Sequence, residues 1–159
     1  MRADGFTLVE SLITIVVLAI GVLALAILQL RTLVDTRTAS MRNIATAMAY
    51  NMADQMRSNE IGLTAGYFNN PNALPDAACY TAKGCTPEVM ASTSYAAWRD
   101  DLQAALPAGE GVVCIDSTPN DGSAANPACD GVNGAPYAIK IWWREEKSAT
   151  QLFATAFVP

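Results

Sequence analysis

Residues 5–30 read GFTLVESLITIVVLAIGVLALAILQL, and from Ser11 to Leu30 no side chain is charged. As a helix rising about 1.5 Å per residue, that run spans roughly 30 Å, the thickness of a bilayer's hydrocarbon core. Lipid offers the backbone no hydrogen-bond partner, so the run must bond to itself and is predicted to be helical. That requirement outweighs the poor helix preference of the β-branched Ile13, Val16, Val17 and Ile20. The run is too long, and too apolar on every side, to be the buried helix of a small domain. It does not fit a secretory signal either. Gln29, Leu30 and Arg31 follow it without a small-residue cleavage pattern, whereas the small residue, Gly5, precedes it. The flanking charges (Arg2 before, Arg31, Asp35 and Arg37 after) do not decide the orientation.

Glu10 is the informative residue of this segment. A carboxylate in an apolar membrane segment costs about 2.5–3.5 kcal/mol on insertion scales, which marks it as functional and calls for a cationic partner. No lysine or arginine lies in the run. Arg2 is a weak candidate. A free α-amine made by cutting after Gly5 is a better one, either on the same chain or on a neighbour packed alongside.

The series Gly5-Phe6-Thr7-Leu8-Val9-Glu10, followed by the apolar run, resembles the class III signal of type IV pilins and type II secretion pseudopilins. The resemblance implies cleavage by prepilin peptidase between Gly5 and Phe6, and N-methylation of Phe6. It also implies that Glu10 recruits and registers the subunit in a growing filament. Residues 1–5 are then a cleaved leader and 6–30 a helix that faces lipid first and neighbouring helices later. Ala19, Gly21, Ala24 and Ala26 would permit close helix approach. Major pilins often carry a proline near the position of Ile27. Its absence here leans towards a minor pilin or a pseudopilin.

Beyond the membrane run, Met41, Ile44, Ala45, Met48, Met52 and Met56 recur at intervals of three and four, with Arg37, Arg42, Asp54 and Arg57 on other faces. This period predicts that the helix continues through 31–60, ending near Ser58 and Asn59, with the methionines filling a core rather than binding a ligand. From Phe6 such a helix is roughly 75–80 Å long. Residues 61–159 form the globular part. Asn, Pro, Asp and Gly make 62–85 a loop. Thr86, Pro87 and Glu88 start a second helix as N-cap, first residue and dipole partner. Its inner face is Tyr95, Trp98, Leu102 and Leu106, and Pro107-Ala108-Gly109 stops it. Gly111–Asp116, Tyr137–Arg144 and Leu152–Val158 read as strands. The last two make an antiparallel hairpin that turns at Glu145-Glu146-Lys147-Ser148. The expected fold class is α+β: a long N-terminal helix on a small antiparallel sheet, with one extra helix.

Cys79, Cys85, Cys114 and Cys129 are an even set in a short chain with a membrane-targeting start, so disulfides in an oxidising compartment are expected. That places the C-terminal part outside the cytoplasm. Three connectivities are open; Cys79–Cys85 with Cys114–Cys129 closes two short loops and is the expected one. Four reduced, buried thiols are the alternative, and zinc lacks the CxxC spacing. Asp116, Asn120, Asp121 and Asp130 do not have the spacing of an EF-hand loop, so they read as turn formers and no metal is expected. Asp100 and Asp101 read as a solvated helix face. Trp142 and Trp143 put one indole on each sheet face, one for the core and one as a possible contact surface.

Histidine is absent from the 159 residues, which removes the commonest general base and metal ligand. With no cofactor fingerprint and no nucleophile–base pair, an enzyme is not expected, nor a cofactor. Residues 61–159 carry five basic residues against ten acidic ones, which speaks against nucleic acid as a partner. Only Lys140, Arg144 and Lys147 could form a basic patch.

Residues 42–59, RNIATAMAYNMADQMRSN, are similar to the post-membrane helix of PilV-type minor pilins. Trp98-Arg99, the stop at Leu106-Pro107-Ala108-Gly109, and Ile141-Trp142-Trp143-Arg144 look like that family too. The resemblance implies a minor pilin that primes pilus assembly. Its implied partners are other minor pilins, the major pilin, a large tip adhesin, prepilin peptidase, the inner-membrane assembly platform, and membrane lipid before assembly. Its implied location is the bacterial inner membrane with a periplasmic C-terminal domain, then the pilus. The alternatives are a type II secretion pseudopilin and a DNA-uptake pilin.

Overall fold

The computed structural model describes residues 7–145 and 150–158. Gly5 and Phe6, and most of the turn expected at 145–148, lie outside the described residues. Seven elements follow in order: α1 (Leu8–Ser58), α2 (Glu60–Thr64), a 3-10 turn (Ala77–Tyr80), α3 (Pro87–Ala105), β1 (Glu110–Ile115), β2 (Tyr137–Arg144) and β3 (Thr150–Phe157). The chain divides into two compact units between Ser40 and Met41.

The first unit is the leading part of α1. Its most apolar 18-residue window has a mean hydropathy of 3.0, and none of it is buried. Exposing that much apolar surface to water is untenable, so the segment needs lipid or other helices around it. Thr14, Thr32 and Thr36 bond their hydroxyls to the carbonyls of Glu10, Leu28 and Thr32, four residues back, so their polar atoms are satisfied within the helix.

The second unit is built on a three-stranded antiparallel sheet in the order β1-β2-β3. Val113 faces Ile139 across β1 and β2, and Ile141 faces Phe153 across β2 and β3. Side chains alternate across a strand. Tyr137, Ile139, Ile141 and Trp143 therefore share one face, and they join the core with Met41, Ala45, Met52, Met56, Trp98, Leu102 and Leu106. The methionine period thus marks the core face of the helix, as its spacing predicts. Three side chains tie the layers together. Trp98 Nε1 donates to the Met48 carbonyl at 2.9 Å, Tyr95 Oη to Gly111 O at 3.1 Å and Tyr137 Oη to Leu63 O at 3.2 Å.

α3 begins where the sequence places it. The Thr86 hydroxyl accepts from Val89 N, and Pro87 is the first helical residue. It ends at Ala105, and Ala108 adopts a left-handed φ of 51° in the stop that follows. α2 and the 3-10 turn occupy stretches expected to be irregular. Asn59 makes α2 possible: its Oδ1 accepts from Gly62 N at 3.0 Å, and its Nδ2 donates to Pro87 O at 2.7 Å, so one side chain caps α2 and holds it against α3.

The other face of β2 is covered as well. Ala138 and Lys140 are fully buried and Trp142 keeps 2% of its surface. Trp143, on the core face, also keeps 2%. The contact surface expected of one of these indoles is therefore not formed. On the face opposite the core, the segment between β1 and β2 folds back to Lys140 instead of standing away from the sheet.

Candidate functional site

Two regions carry the residues singled out in the sequence: the start of α1, and the loop between β1 and β2. At the first, Thr7 opens α1. Its hydroxyl accepts from Glu10 N at 3.3 Å, and its carbonyl accepts from the same N–H at 3.1 Å. Thr7 stands three residues before Glu10, the spacing of an N-cap and its N3 acid. Sequence reasoning passed over it, although the Thr-x-x-Glu series was the available signal. Glu10 lies in the first turn of α1 and is exposed. A carboxylate at the N-terminal end of a helix is favoured by the helix dipole. Around it Leu8, Val9, Leu12 and Ile13 are all more than half exposed. The arrangement is a single acid on an apolar rod, open to a partner. Ile15, Leu18, Ala19, Val22, Leu23 and Ala26 line a shallow apolar groove further along.

The disulfides are Cys79–Cys85, ahead of α3, and Cys114–Cys129, in the second region: the sequential pairing. The second closes a loop that carries Asp116, Asn120 and Asp121, with Asp130 next after Cys129. Asp116 and Asp121 are brought together, but around an ammonium group. Lys140 Nζ lies 2.5 Å from Asp116 Oδ2 and 2.9 Å from Asp121 Oδ1, and also donates to the carbonyls of Pro127 at 2.8 Å and Asp121 at 3.2 Å. Lys140 therefore belongs to no basic surface patch. Arg144 is exposed, and Lys147 lies outside the described residues. Asp130 turns to the backbone instead, accepting from Ser117 N and Val132 N at 3.1 Å each and from the Ser117 hydroxyl. Cys114 and Cys129 approach Asp116 closely enough to resemble a ligand set. Both sulfurs are spent in the disulfide, so they supply no thiolate.

The electrostatics of this loop predict its pH response. The hydrogen bond from Lys140, then that from Thr118, holds the Asp121 carboxyl below its ordinary value; those from Ser117 and Val132 do so for Asp130. Burial pulls the Lys140 ammonium down, but its bonds to Asp116 and Asp121 outweigh this and leave it above the ordinary lysine value. A depressed carboxylate contributes stability above its unfolded value and loses it as pH falls through the folded one. A raised lysine contributes below its unfolded value and loses it as pH rises through the folded one. Acidification below about 3.8 should therefore loosen the loop before the core melts. Protection factors, normalised to the intrinsic exchange rate at each pH, that fall at Ser117 and Val132 ahead of Ile139 and Ile141 are the expected signature. An equal fall at all four would contradict it.

Residues 1–26 match the family model of the prokaryotic N-terminal methylation motif. No curated protein and no solved structure matches the chain. The motif is the leader of type IV pilins and pseudopilins, and this chain carries it. Its α+β architecture, an apolar N-terminal helix with a small antiparallel sheet, is that of type IV pilins. A leader of this kind implies processing by prepilin peptidase, and with the apolar helix it fits a subunit anchored in the inner membrane.

Proposed function

We propose that the chain is a minor pilin of a type IV pilus, a structural subunit that helps prime pilus assembly with other minor pilins, the major pilin and a tip adhesin. Prepilin peptidase cuts between Gly5 and Phe6, the new amine of Phe6 is methylated, and the disulfide-bonded unit stands in the periplasm until the subunit enters the pilus. The observation that carries this reading is Glu10, a lone acid at the head of an uncharged run, residues 11–30, that is exposed on all its sides. An acid in that setting is costly unless a cation meets it. The amine of a processed neighbour, brought up as helices pack side by side, meets that need. Two features support a minor over a major subunit: no proline precedes Pro71, and α1 runs through Leu8–Ser58 as one helix.

Deleting the gene in its native host and counting surface pili by electron microscopy tests the assignment. Scarce or absent pili, restored by a plasmid copy, are expected. Normal pili with failed export of folded enzymes would move the protein to the type II secretion pseudopilins. The Lys140 cluster separates these readings in vitro as well, because a calcium-dependent fold leans towards secretion. In this chain the Asp116 and Asp121 carboxylates already hold a cation of their own. Calcium or a chelator is therefore expected to shift the thermal midpoint of the full chain in detergent by less than about 1 °C, whereas a specific site at saturation adds roughly 2.7 kcal/mol or more. A calcium-induced rise of several degrees would favour secretion.

A further inference from the structure

We infer that Lys140 is a latch that folds the loop between β1 and β2 across the sheet and so sets Cys129 against Cys114, coupling closure of that disulfide to a buried ion cluster. The loop leaves β1 after Ile115 and reverses at residues 121–127. At the reversal the two limbs nearly touch. Gly122 has φ 83°, and a Cβ there would run into the backbone of Asn126 and Pro127. Ser123 N donates to Asn126 O at 2.8 Å. The Lys140 ammonium bonds to both limbs at once, to Asp121 on the outgoing side and Pro127 on the returning side. Cys129 is two residues beyond Pro127. Cys114 sits in β1, opposite Ala138 in β2 and two residues from Val112, which faces Lys140 itself. The lysine thus lies next to one thiol along the ladder and grips the chain just ahead of the other.

The force behind the latch is desolvation. Lys140 and Asp116 have fully buried side chains, while Asp121 is about half exposed. An ammonium on a sheet face is expensive to cover unless oxygens replace its water. Asp116 supplies one such oxygen from the strand end; the others come from Asp121 and Pro127. The loop must therefore be in place for Lys140 to be buried. Between residues 117 and 128, Lys140 is the side chain from the sheet whose hydrogen bonds hold the loop, among the described residues.

Closure converts two thiols into one S–S bond, releasing two protons and two electrons. A disulfide oxidant such as oxidised glutathione accepts these and leaves as two reduced thiols. The latch raises the concentration that each thiol presents to the other, and by reciprocity the bond strengthens the latch by the same factor. Cys79–Cys85 joins residues on the other side of α3's start and has no part in the cluster, so it is an internal control.

The experiment equilibrates the full chain, in detergent, with glutathione buffers, then traps thiols by alkylation and measures each cysteine pair by mass spectrometry. Lys140→Met is expected to lower the effective concentration of the Cys114–Cys129 pair about tenfold or more, since breaking a buried charge cluster exceeds the roughly 1.4 kcal/mol of a decade, and Asp121→Ala about threefold or more, since its half-exposed carboxylate is one of several oxygens on the ammonium. Cys79–Cys85 should stay within about twofold in both variants. Should Lys140→Met unfold the unit and weaken both bonds, Asp121→Ala decides, because its side chain is half exposed and its loss leaves the core intact. An unchanged Cys114–Cys129 pair in Asp121→Ala, or an equal fall of both pairs there, overturns the latch.

Discussion

Glu10→Ala is expected to leave the chain in the membrane and to remove it from the filament of the proposed function. The two halves of this result have opposite physical signs. Losing a carboxylate from an apolar segment makes insertion more favourable, by less than the roughly 2.5–3.5 kcal/mol of a charge at the helix centre, since Glu10 lies in the first turn. The amount recovered in the membrane fraction should therefore hold or rise. On the proposed function, incorporation requires the acid to meet a cation in a helix-packed, poorly solvated setting. Truncating one partner of such a pair costs about 2 kcal/mol at the low end, which is roughly thirtyfold in occupancy. Immunoblots of membranes and of sheared filaments, normalised to each other, read both quantities. Glu10→Gln refines the result. It keeps the side chain's length and a hydrogen-bonding oxygen but not its charge, so it should fall nearly as far as alanine. A glutamine variant with normal incorporation would show that shape, not charge, registers the subunit. A parallel loss from membranes and filaments would place the role of Glu10 in insertion instead.

Local signals account for most of what the sequence disclosed. The apolar run, the methionine period, the Thr86-Pro87-Glu88 start of α3, the strand alternation from Tyr137 and the sequential cysteine pairing each involve neighbours within a few turns or one loop. Each was legible because its physics is short-ranged. Most of the parts that were missed depend on a segment returning from a distance. Lys140 alternates with Ile139 and Ile141, which looks like an outward, solvated position on a half-buried strand. Only a loop folding back over that face turns it into a buried ion cluster. Trp142, two residues on along the same face, is buried as well. Asp116, Asp121 and Asp130 could be read as turn formers or as metal ligands. Which of them share a partner depends on where β2 lies relative to the loop. Asn59 was visible as a helix end, but not as the tie between α2 and α3, since its second bond reaches Pro87, far along the chain. Thr7 is the exception: its bond to Glu10 is local, and it was eclipsed by the motif it belongs to.

Trp98→Ala is expected to be the most damaging single change in the globular unit. The side chain keeps 1% of its surface and sits at the meeting point of α1, α3 and β1. Its Nε1 bonds to the Met48 carbonyl, its ring lies 5.9 Å from that of Tyr95, and its outer edge fills the space above Gly111. Truncating a buried tryptophan costs about 3–5 kcal/mol in transfer and cavity terms. For a unit of this size that lowers the thermal midpoint by roughly 10–25 °C. Scanning calorimetry or near-ultraviolet circular dichroism of the full chain in detergent measures it. Trp98→Phe keeps much of the bulk but loses the bond to Met48, so it should recover most of the stability. Gly111 tests the packing from the other side. A Cβ there would collide with Trp98 and Leu102, both buried, so Gly111→Ala should cost about 1–3 kcal/mol by overpacking. With Trp98 already truncated, part of that collision is gone. The double variant should therefore be less destabilised than the sum of the single changes, by about 0.5 kcal/mol or more. Strict additivity would mean that the ring and the strand do not share the space, and that Gly111 is a glycine for its backbone alone.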